Sequence, residues 1–146
     1  MSMSNASETA LLNLLFNNTD WANVGDAAGL QNSATAGSFY VALHTADPGD
    51  AGTQSTSEAS YTGYARVAVA RTAGGWTVSG NQVSNTATVQ FGECTAGSAV
   101  VTHFSVGLLS AGAGDILYSG ALDATRSVSS GITPLFNPGT LTGTVD

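Results

Sequence analysis

The sequence predicts an all-β chain, a sandwich or barrel of short antiparallel strands, and three observations carry that expectation. From Phe39 onward the apolar residues recur with a period of two, Gly- and Asn-bearing turns interrupt them at short intervals, and only the N-terminal segment follows a helical period. Gly, Ser and Thr number 18, 17 and 18 among 146 residues, whereas charged residues make up 9%. That length is one domain's worth of chain, enough to bury about two thirds of its unfolded surface. Gly keeps no three-residue period, which excludes collagen, and the low charge with abundant alternating apolar residues favours collapse over disorder.

The helix comes first. Asn5 and Glu8 stand three apart as a variant of the capping box, and Ala10 to Phe16 place apolar residues at helical spacing before Asn17-Asn18 ends the run. Its apolar face must pack on the body of the chain or on a partner. Residues 17–38 are small and polar and read as a long arm, so the expected division is a helix and arm over 1–38 and a β domain over 39–146. Phe39, Val41 and Leu43 start the strands, with His44 on the alternate face, and Asp47-Pro48-Gly49-Asp50 forms a turn. Ala65 to Val69, Trp76 to Val78, Gln82-Val83 and Ala87 to Phe91 follow. Val100 to Leu108 is the longest expected strand, and Ile116 to Leu122, Ala124 to Val128 and Thr140 to Val145 bring the count to eight to ten.

Charge narrows the partners. The formal net charge is -7, with no Lys and three Arg. Residues 1–65 hold six acids and no base, and residues 66–146 hold four acids against the three Arg. Three scattered Arg cannot supply the field that displaces counterions from nucleic-acid phosphates, nor one that holds an anionic membrane. The N-terminal stretch lacks the basic region of a signal peptide and no stretch approaches 18 apolar residues, so a soluble protein made in the cytosol is expected. The single cysteine, Cys94, leaves no internal disulfide.

Catalytic constellations are absent from the pattern. His44 and His103 fall on strands opposite the apolar set, which suits an outer face or an interface; with a carboxylate they could bind a metal, but no H-x-H or H-E-x-x-H spacing accompanies them. No G-x-S-x-G elbow occurs, and the Gly112 to Gly114 turn matches neither a phosphate loop nor a dinucleotide fingerprint. Asp47 and Asp50 lack the dense acid spacing of a calcium loop. Glu93 beside Cys94 disfavours a reactive thiolate, and Trp76 reads as a core or edge plug. Arg66 and Arg71 are an odd number of residues apart and so lie on opposite faces of one strand; one should face solvent or a partner, where it could pair with carboxylates, and a solvated side chain is the plainer expectation for each. No catalytic, cofactor-binding or metal-ligating residue is assigned, and no enzymatic activity is expected.

Phe39-Tyr40-Val41-Ala42-Leu43-His44-Thr45-Ala46-Asp47-Pro48, followed by Gly63-Tyr64-Ala65-Arg66, resembles a family of small tailed-bacteriophage virion proteins with an "LYVALxTxxP" strand and a "GYAR" strand. In the same order come Asn85 before an apolar strand ending at Phe91, then Val101 to Gly107, then Gly114 to Leu122, the counterpart of "LLYSGAL". The resemblance spans about residues 8–145. It implies a jelly-roll-like β-sandwich acting as a capsid cement or decoration protein on the outside of the phage head, bound to the major capsid protein and dimeric. Members are also labelled tail or tail-fibre proteins, which leaves head and tail both open, with receptor or glycan contact on the tail side. The helix and the 46–60 loop, both in the acidic segment, are the expected contacts with neighbouring subunits.

Overall fold

The computed structural model describes residues 2–146, which hold one α-helix and nine strands paired antiparallel. The all-β class follows the period of two. The chain gathers into two compact units: one contains the chain up to Ser38 together with Ala70–Thr88 and Asn137–Asp146, the other Phe39–Val69 and Val89–Phe136. The helix and arm share their unit with two later segments.

In the first unit α1 spans Asn5–Phe16. Its N-cap is Ser4, one residue before the expected start, and the Ser4 hydroxyl accepts from the Ser7 N–H at 3.4 Å. At the other end Asn17 N–H donates to the Asn13 carbonyl and Asn18 takes a positive φ of 52°, so the helix stops where the Asn pair stands. Leu12 and Phe16 are fully buried, and the Phe16 ring meets Trp76 edge-on at 5.0 Å. Trp76 opens β3 (Trp76–Ser79), which turns through Gly80 into β4 (Gln82–Asn85), and β4 pairs in turn with a late strand at Thr142–Thr144. Asn85 fixes this arrangement. Its amide donates to the Ala87 and Asn137 carbonyls at 2.8 and 2.9 Å and accepts from the Leu141 N–H at 2.9 Å, all with the side chain buried.

The second unit is built on a four-stranded sheet of β1 (Ser38–His44), β2 (Val67–Ala70), β6 (Ser98–Gly107) and β7 (Ile116–Ser129), in the order β2-β1-β6-β7. A two-stranded sheet joins β5 (Val89–Gln90) to β8 (Leu135–Phe136), and the Thr142–Thr144 strand of the first unit is β9. Tyr40 pairs with Gly107 and His44 with His103. Val41, Ala42, Leu43 and His44 are all buried, so both faces of β1 are covered at that end and the alternation is lost there. The longest strand is β7 rather than β6: the two pieces expected at 116–122 and 124–128 are one strand of 14 residues, bulged where its register against β6 shifts between Val101 and His103.

Candidate functional site

The side chains with chemical capacity converge in the second unit around Arg66, immediately before β2. Its guanidinium grips Glu58 with two bonds, Nε to Oε1 and Nη2 to Oε2, both 2.7 Å. Nη1 donates to the Leu109 carbonyl at 2.9 Å and Nη2 to the Gly112 carbonyl at 2.7 Å. The Arg66 side chain is 2% exposed and that of Glu58 19%, so the pair is an interior clamp joining the 53–58 loop to the turn between β6 and β7.

Tyr64 completes the clamp. Its hydroxyl donates to Glu58 Oε1 at 2.9 Å and accepts from the Leu43 N–H at 3.0 Å, and burial pushes the phenol above its ordinary value. The Tyr64 ring stacks with Phe91 at 6.0 Å and meets Tyr61 edge-on at 5.4 Å. Gln54, fully buried, donates to the Tyr40 carbonyl and accepts from the Leu109 N–H, which pins the same turn from the other side. Beside these residues lies an open cleft of about 370 Å³ lined by Glu58, Ser60, Tyr61, Tyr64, Arg66 and Ser110. Both carboxylate oxygens and the phenol are already engaged within the fold, so the arrangement serves to hold loops in place.

The remaining candidates take fixed positions. His44 is fully buried, where an outer face or interface was expected, because both faces of central β1 are covered. It bonds the Thr56 carbonyl through Nδ1 and the Ser105 hydroxyl through Nε2, both at 2.8 Å, which assigns the proton to Nδ1. Burial holds this imidazole below its ordinary value, against the opposing effects of the Thr56 carbonyl and Glu58. His103 pairs with it across the strands and bonds Thr102, yet among the described residues no group of three His, Cys, Asp or Glu could hold a metal ion. Cys94 is buried with its thiol on the Ala96 and Gly97 carbonyls. Asp47 accepts from the Gly49 N–H within its turn. Arg71, across β2 from Arg66 in sequence, donates to the Leu14 and Leu15 carbonyls at the end of α1.

The sequence pattern reads Arg66 as a solvated side chain and does not pair it with Glu58. Glu58 is the sole acid between Asp50 and Arg66, and that was the available signal. Nothing in the pattern marked Gln54.

One family model, described as podophage GP4 fiber I protein gp80, matches residues 2–144. The chain belongs to the gp80 family. Its matched span includes α1 and all nine strands. The gp80-family chain is a structural protein of the phage virion, the broader of the expectations raised by the resemblance. The family's description names a fibre, one of the two locations left open by the motifs. No curated protein matches this gp80-family chain.

Proposed function

We propose that the chain is a non-catalytic subunit of the tail-fibre apparatus of a phage, holding other virion proteins by surface contact. The match of residues 2–144 to a family described as a podophage fibre protein is the observation that carries this reading. The geometry is in keeping with it: Arg66, Glu58, Tyr64, His44 and Gln54 are engaged in bonds that fix loops. Fold alone does not decide function, and a β chain with rigid loops suits docking as well as any chemistry.

A second reading, a capsid cement protein bound to the major capsid protein as a dimer, draws on the order of the motifs from Phe39 to Leu122 and on the acidic residues 1–65, which could meet basic patches outside a shell. Copy number and position separate the two. Virions purified and probed with a Fab against this chain should show label at the tail and, by gel densitometry, a few to some tens of copies. Hundreds of copies with label over the head would overturn the fibre reading in favour of cement, and absence of the chain from washed virions would overturn both.

A further inference from the structure

Residues 18–33 form a loop whose ends are clasped together. The Asn18 amide donates to the Ser33 carbonyl at 2.8 Å, and the Ser33 N–H returns a bond to Asn18 Oδ1 at 2.9 Å. Within the loop Trp21 and Leu30 exchange backbone bonds of 2.9 Å, Asp20 accepts from the Asn32 N–H, and Asp26 accepts from the Ala28 and Gly29 N–H groups. Gly29, at φ +67°, passes so near the opposite arm that a β-carbon there would stand 2.1 Å from the Trp21 carbonyl oxygen. Arg71 ties the foot of the loop through the Ala36 carbonyl.

Despite this fixing, no residue from 19 to 37 is buried. Ordering a chain costs conformational entropy, and here apolar burial inside the fold does not offset it. A long loop held to one shape with its side chains outward is suited to contact with another molecule. Val24 and Leu30 are 38% and 43% exposed, and Trp21 is half-buried.

We propose that this clasped loop docks onto a cationic and partly apolar surface of another virion protein. The inference rests on the assembly role proposed above and adds the surface and the chemistry of its partner. The sign of charge selects that partner. Residues 17–37 carry Asp20 and Asp26 and no basic side chain, which repels nucleic acid and anionic lipid. A second copy of the chain fits poorly as well. Its net charge is -7, and of its three arginines Arg66 is clamped on Glu58, Arg71 on helix carbonyls, and Arg126 over the Phe136 ring. On a basic partner the carboxylates would steer encounter while Trp21, Val24 and Leu30 supply apolar contact.

The test is complementation of a phage with a stop codon in this gene by plasmid-borne chain, counting copies in purified virions. Two double variants, V24S/L30S and A22K/A27K, change exposed side chains and leave the clasp intact; Q90K/S127K places the same two lysines on exposed positions of the other unit. The loop variants should melt like wild type and enter virions at least tenfold less, with Q90K/S127K entering at the wild-type level. Loop variants entering at the wild-type level overturn the loop proposal and leave the assembly role standing. If A22K/A27K falls no further than Q90K/S127K and V24S/L30S does not fall, a general charge effect overturns the loop proposal. Purified chain that self-associates through the loop, losing its oligomers in both loop variants, makes a second copy the partner and overturns the proposal. Absence of the wild-type chain from virions overturns the assembly role and the loop together.

Discussion

At the scale of single residues, the Arg66–Glu58 clamp separates two energetic quantities that are easily confused. Two charges removed from water gain little net stability from each other, but one left alone in the interior is costly. Glu58→Ala should therefore destabilise the protein by roughly 3–5 kcal/mol, the cost of stranding a buried charge, whereas the double variant E58L/R66M should recover most of that loss. Urea unfolding of the two proteins decides it; a single variant losing under about 1 kcal/mol would show that the guanidinium finds water. His44 predicts a pH dependence of definite sign. Burial holds its folded-state value below the ordinary 6.5, with the Thr56 carbonyl and Glu58 opposing the shift and Arg66 and His103 adding to it. Above about pH 6.5 the imidazole is neutral in folded and unfolded chains alike and the proton makes no difference. Below it the unfolded chain takes up a proton that the folded chain refuses, so stability falls on acidification until the lowered folded value is passed. Thermal melts between pH 7.5 and 5.5 should show Tm falling, with His44→Gln flattening the slope; an equal slope in both proteins would remove His44 as its source.

At the scale of elements, α1 is part of the interior of its unit. Leu12 and Phe16 are fully buried, Phe16 lies edge-on to Trp76, and Arg71 caps the carbonyls of Leu14 and Leu15. Removing residues 1–20 would therefore strip two fully buried side chains from that unit. Phe16→Ala should cost about 3–5 kcal/mol through lost burial and the cavity it leaves, read by denaturant unfolding, while the exposed Asn5→Ala should change little. A small effect for Phe16 would mean that the helix packs loosely. The same elements show what was legible beforehand. The helix end at Asn17-Asn18, the hairpin at Gly80-Asn81 and the strands beginning near Phe39 and Trp76 were readable because local chemistry and periodicity specify them. The burial of His44 was not, since alternation marks one covered face and cannot announce that a strand will be covered on both. Leu135–Phe136 was missed because two residues carry no period, and the bulge that lets β7 run through 14 residues depends on its pairing with β6. The Glu58–Arg66 pair was hidden because its geometry comes from loops whose positions no local rule sets.

At the scale of the whole molecule, composition and structure give complementary accounts of a virion component. With charged residues at 9%, few ionic contacts are available, and two of the three arginines serve to lock loops and helix ends. Asn85, noted in the sequence only as the residue ahead of an apolar strand, ties β4 to the segment that leads into β9. Such ties are long in sequence: β1 pairs with β6 some sixty residues later, and β4 with β9 at about the same remove. The consequence lies in the order of synthesis. At roughly 5–20 residues per second a ribosome leaves β1 without its β6 partner for several seconds, and β4 waits about as long for β9. During that interval β1 has at most the four-residue β2 beside it and its β6 edge stays open, so the nascent chain is exposed to association with its neighbours. The chain thus passes through a stage in which the wrong contacts are open to it, and rapid pairing of β1 with β6 brings that stage to an end.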